Sequence, residues 1–171
     1  MNRVGIAVVL LALSLPLCAQ DSNKGFSLSA SKEASAKDIG LPLYPGAKPH
    51  KDNNDDSSAV QLGFSGGDAG FRLAVAKFES EDAPDKVAAF YRQALAKYGK
   101  VLDCSASAKT ANGEQAPKGQ LSCGDDWGKP GEFVYKVGTR EKQHVVGVQP
   151  DGNHSTFQLV YLMQHGVDDK K

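Results

Sequence analysis

Between Phe133 and Met163, apolar and polar residues alternate with a period of two, the spacing of strands that bury one face. Placing Asp151-Gly152 at the centre of a hairpin turn sets Gln149 opposite His154, Val146 opposite Phe157 and His144 opposite Leu159. Carrying the same logic through the Arg140 to Gln143 loop sets Val137 opposite Val146 and Tyr135 opposite Val148. Phe133, Tyr135, Val137, Val146, Val148, Phe157, Leu159, Tyr161 and Met163 then share one face of a meander. Upstream, Val60, Leu62 and Phe64 alternate with Gln61 and Gly63, and the Gly-rich run from Ser65 to Gly70 leads into Phe71 to Phe78, which predicts a hairpin.

The period changes to helical after Glu81. Val87, Tyr91, Ala94 and Tyr98 recur on one side, flanked by Phe90 and Leu95. Asp82 is placed to cap the amino end, Pro84 is tolerated in the first turn, and Gly99 is a natural stop. A rod from Ala83 to Tyr98 covering the apolar meander face is the largest stabilising term on offer, at about 1.5 to 3 kcal/mol per fully buried large side chain. Before the first hairpin, Pro45-Gly46 has the chemistry of a type II turn, with Leu43 and Tyr44 expected to pin the entry segment to the core. The predicted fold is α+β, a single α-helix packed on a curved antiparallel sheet of five to seven strands in the order β-β-α-β-β-β-β-β.

The amino end reads as an address. Arg3 supplies a positive start, and Val4 to Leu15 form a twelve-residue apolar core that is short for a bilayer span. The expected division is a signal peptide over residues 1–19, a flexible leader over 20–38, one domain over 39–165 and a disordered tail over 166–171. Cleavage after Ala19 would leave a periplasmic or secreted chain with no transmembrane span. The alternative is lipid anchoring through Cys18, although Leu17 is larger than a lipoprotein peptidase favours. With Cys18 removed, Cys104 and Cys123 remain, an even count that predicts one disulfide in an oxidising compartment.

At 171 residues with 40% hydrophobic and 23% charged positions, the chain is an ordinary globular domain. Twenty Lys plus Arg balance twenty Asp plus Glu, which removes the usual electrostatic basis for binding nucleic acid. Gly63-Phe64-Ser65-Gly66-Gly67 matches the pattern of a hydrolase nucleophile, but the motif works on a strand-to-helix turn and a second strand is expected here. Asp52, Asn54 and Asp56 open like a calcium loop, yet Ser57 stands where the turning glycine belongs and no closing Glu follows. His50, His144, His154 and His165 show no zinc-ligand spacing, and His144 on an apolar face reads as a structural residue more than a catalytic base. No cofactor fingerprint is present, so no cofactor is expected.

Three segments together carry a resemblance: Leu43-Tyr44-Pro45-Gly46-Ala47, the strand end Lys77-Phe78-Glu79, and Asp85-Lys86-Val87-Ala88-Ala89-Phe90-Tyr91-Arg92. The chain resembles a group of exported bacterial proteins with no assigned activity, and the likeness extends through Lys136 to Thr139 and Thr156 to Tyr161. It implies an envelope or secreted location and nothing catalytic. The functional expectation is a non-catalytic exported module that binds a protein, envelope component or small ligand through the outer sheet face or the long loops. The alternative is a carrier of a hydrophobic ligand in a cavity between helix and sheet, lined by Tyr91, Tyr98, Tyr135 and Tyr161. A hydrolase using Ser65 or His144 ranks below both.

Overall fold

The computed structural model describes residues 27–31, 35–52, 57–112 and 120–166. Seven strands form one antiparallel path. In chain order they are β1 (Ser27–Ser31), β3 (Ala59–Gly66), β4 (Ala69–Ser80), β5 (Leu102–Asp103), β6 (Phe133–Gly138), β7 (Lys142–Asp151) and β8 (His154–His165). Across the sheet the order is β1-β3-β4-β8-β7-β6-β5, and the short β2 (Lys48–Pro49) pairs with β4 alongside it. The long crossing from β4 to β6 is occupied by α2 (Pro84–Leu95), a 3-10 turn (Ala96–Tyr98), β5 and α3 (Ala106–Asn112).

Among the described residues the expected single helix is corrected to three α-helices, because α1 (Ala36–Ile39) precedes β2 and α3 follows β5. Ser35 builds α1 with a capping box: its hydroxyl accepts from the Asp38 backbone N–H, and the Asp38 carboxylate accepts from the Ser35 N–H. The Ser35 hydroxyl also donates to the Asp38 carboxylate at 2.6 Å, and that bond, with the one from the Ser35 backbone N–H, holds the carboxyl below its usual range. β1 pairs with β3 from Ser27↔Ser65 to Ser31↔Gln61. Ordered structure thus reaches into the stretch assigned to a flexible leader. Residues 1–26, which include the signal segment and Cys18, lie outside the described residues.

One face of the sheet matches the predicted apolar face. Tyr135, Val137, Val146, Val148, Phe157 and Leu159 are buried, with Phe133 and Tyr161 packed beside them. Met163 is half-buried and sits between Arg72 and Lys142. Covering this face, α2 buries Val87, Ala88, Tyr91 and Leu95, a stripe at helical spacing, against β6, β7 and β8. Inward residues of β4 are Ala74, Ala76 and Phe78.

The pairing differs from the expected register by two residues in both hairpins. Val146 faces Leu159, His144 faces Tyr161 and Gln149 faces Thr156. Tyr135 faces Val146 and Val137 faces His144. Asp151 pairs with His154, so Gly152-Asn153 is the turn centre, and Gly152 at φ 61° takes the first central position that a type II′ turn reserves for glycine. A two-residue slip keeps every side chain on its face, which is why the apolar face was right although its partners were wrong.

The entry segment closes the core. Gly46 has φ 76° and the Ala47 N–H donates to the Tyr44 carbonyl, the expected type II turn. Tyr44 is buried, but Leu43 is 47% exposed and Leu41 fills the core place expected of it. Nor does Asp82 cap α2. Ala83 holds the cap position without a side-chain bond, while the Asp82 carboxylate accepts from the Tyr44 hydroxyl at 2.7 Å and from Lys86 Nζ at 2.8 Å. Cys104 and Cys123 form the predicted disulfide, both sulfurs buried.

Candidate functional site

The four tyrosines expected to line a ligand cavity take different places in the structure. Tyr91 is fully buried, its ring 5.3 Å from Phe157, and its hydroxyl accepts the Tyr44 backbone N–H at 3.1 Å. Burial pushes its phenol well above the ordinary range. Tyr135 is buried in the sheet core. Tyr98 stacks on His144 at 4.0 Å, and Tyr161 packs on the other side of that imidazole at 5.1 Å. None of the four tyrosines lines either of the two concavities described below.

His144 is a packed core residue. Burial lowers its pKa, more than the hydrogen bond to the Ile39 backbone raises it, and Lys142 and Lys97 lower it further. Ser65 lies within β3, its Oγ 3.1 Å from Ser27 Oγ, and the chain then turns through Gly67-Asp68 into β4. No strand-to-helix elbow forms there. Among the described residues, no three His, Cys, Asp or Glu side chains converge as metal ligands. Asp52 of the calcium-like run meets Lys77 Nζ and lies 3.5 Å from His50 Nε2, while Asn54 and Asp56 fall outside the described residues.

The outer face of the sheet, opposite α2, is the binding surface expected from the sequence, and the feature missed there is a set of apolar rows. Strand pairing sets its side chains in rows. Val60, Val75, Val160 and Val145 lie side by side across β3, β4, β8 and β7. Leu62, Leu73 and Leu162 form the next row, ending at Gln143, and Phe64 and Phe71 form a third, stacked at 6.0 Å and ending at Gln164. Leu62 is 42% exposed, Val60 is 37% exposed, and the others are half-buried. Four strands wide and five residues long, this platform covers on the order of 300 Å² at sheet spacing, comparable to the largest apolar patch of a typical monomer, which is often functional.

The same face is closed at its other end. There the disulfide segment lies over β6: Asp126 pairs with Lys136 at 2.8 Å, the Cys104 N–H donates to the Val134 carbonyl, and Gly128 sits against Val134. Below the valine row, Gly147 contributes no side chain and leaves a hollow of about 230 Å³ bordered by His50, Asp52, Lys77, Thr156 and Gln158. His50 Nδ1 lies 2.8 Å from Glu79 Oε2, so a polar chain rims the apolar platform. An apolar centre with a polar rim is the anatomy of a protein interface.

Compared with protein-family models, curated proteins and solved structures, the chain matches none. Among the described residues no helix is long and apolar enough to cross a membrane.

Proposed function

We propose that the chain is a non-catalytic exported module that binds a protein partner through the outer face of its sheet. The observation that carries this reading is the Val, Leu and Phe rows on the face that α2 does not cover. A flat pleated surface suits another macromolecule better than a small ligand, which is held in concave sites. At on the order of 300 Å², the platform supplies the apolar centre of an interface whose standard size is about 800 Å² per partner, with the His50 to Glu79 chain and the surrounding glutamines as rim. A catalytic role has no comparable support, because Ser65 lacks the elbow geometry and His144 lies between two tyrosine rings. Export rests on the apolar leader and on a disulfide compatible with an oxidising compartment.

The test is retention of partners by the chain purified under native conditions from cells that make it. The double variant Leu62→Lys/Leu73→Thr should lose the protein that the unmodified chain retains, while its unfolding midpoint stays close to that of the unmodified chain. Equal retention by both forms, or no retained protein with either, would refute the reading.

A further inference from the structure

A second concavity lies on the inner side of the sheet, beyond the reach of α2. It is a trough of about 750 Å³, open to solvent, between the α1 segment and β4, with Ala76 and Phe78 among its lining on the sheet side and Leu41, Pro42 and Leu43 among its lining on the entry segment. This volume falls within the roughly 300 to 1,000 Å³ of small-molecule sites. Its floor is formed by the almost fully buried Ala76 and Phe78, and its most exposed apolar wall is Leu43, 47% exposed where Leu41 and Tyr44 turn into the core.

Among the described residues, the charged side chains that line this groove are Lys37 and Lys97. Lys97 Nζ donates one hydrogen bond to the Gly40 carbonyl at 3.0 Å, which leaves two of its three donors for a ligand. An apolar trough with two ammonium groups calls for a molecule that is greasy along its length and anionic at one end. We propose that this groove binds a long-chain carboxylate, its hydrocarbon along Leu43, Pro42 and the edge of Phe78 and its carboxylate between Lys37 and Lys97. The site differs from the outer face in position and in chemistry, and it does not depend on the protein partner.

Titration with the fluorescent fatty acid cis-parinaric acid, followed by displacement, tests this directly. Saturable binding is expected, with dodecanoate displacing the probe at least tenfold more effectively than dodecanol and acetate ineffective. Lys37→Glu and Lys97→Glu, both at exposed positions, should each weaken probe binding several-fold, and Leu43→Asp should weaken it further. Leu62→Lys on the outer face should leave it unchanged. Absence of saturable binding, equal displacement by dodecanol and dodecanoate, or affinity in both lysine variants unchanged from the unmodified chain would overturn the assignment. Loss of binding in the Leu62→Lys variant would also overturn it, because the probe would then be reporting the outer platform.

Discussion

The two faces of the sheet are built from the same kinds of residue and meet opposite fates. On the inner face Val137, Val146 and Leu159 are fully buried under α2. On the outer face Val60, Val75, Leu62 and Leu73 stand in equally regular rows, yet Leu62 and Val60 are exposed, and among the described residues the disulfide segment covers the β6 end alone. A sheet face that is apolar without a covering layer does not contribute its burial to the fold of the isolated chain, and that burial remains available for binding. The difference separates residues that hold this domain together from residues of the same type that face outward.

The sharpest break in the comparison is a matched pair of truncations. Leu159→Ala opens a cavity under α2 and should lower unfolding free energy by about 2 to 5 kcal/mol, whereas Leu62→Ala should stay within about 0.5 kcal/mol of the unmodified chain in denaturant melts. Reduction of Cys104–Cys123 should cost about 3 kcal/mol on the chain-entropy model, read as a lower denaturant midpoint in the presence of reductant, because the bridge closes the segment that covers the β6 end of the outer face. Equal losses from Leu159→Ala and Leu62→Ala would erase the distinction between the faces.

Smaller effects sharpen the inner side. Tyr91→Phe removes the acceptor for the buried Tyr44 N–H and should cost about 1 to 3 kcal/mol in the same melts. His144 adds a pH dependence. Its folded pKa lies below the ordinary 6.5, so the unfolded imidazole holds its proton more tightly than the native one. The contribution to stability is complete above about pH 6.5, declines as pH falls through the window beneath it, and levels off once the native imidazole is itself protonated. His144→Phe, which keeps a ring between Tyr98 and Tyr161, should flatten that decline, and an NMR titration of His144 should show a midpoint below that of an exposed histidine.

The inner face was legible because strand alternation fixes facing independently of partner identity, so a two-residue error in both hairpins left Val146 and Leu159 on the correct side. The helix was legible from the spacing of Val87, Tyr91 and Leu95. β1 and α1 were missed although Leu28 and Ala30 alternate with serines and Ser35 stands three residues before Asp38, because the serine-rich composition outweighed both signals. Asp82 had the right chemistry for a helix cap, but the Tyr44 hydroxyl and Lys86 engage its carboxylate instead. The four tyrosines were assigned to a cavity because helix and strand periodicity brings them to one layer without saying whether that layer is full. The outer platform was illegible for a different reason. Its valine row joins residues 60, 75, 145 and 160, and only the strand order β3-β4-β8-β7 makes them neighbours.

Side-chain footprinting by photochemical carbene labelling tests the outer-face account most directly. In the isolated chain Leu62 and Leu73 should label readily while Leu159 and Tyr91 do not, and in intact cells Leu62 and Leu73 should become protected. Protection of Leu62 and Leu73 already in the isolated chain, or equal labelling of them in both settings, would contradict it.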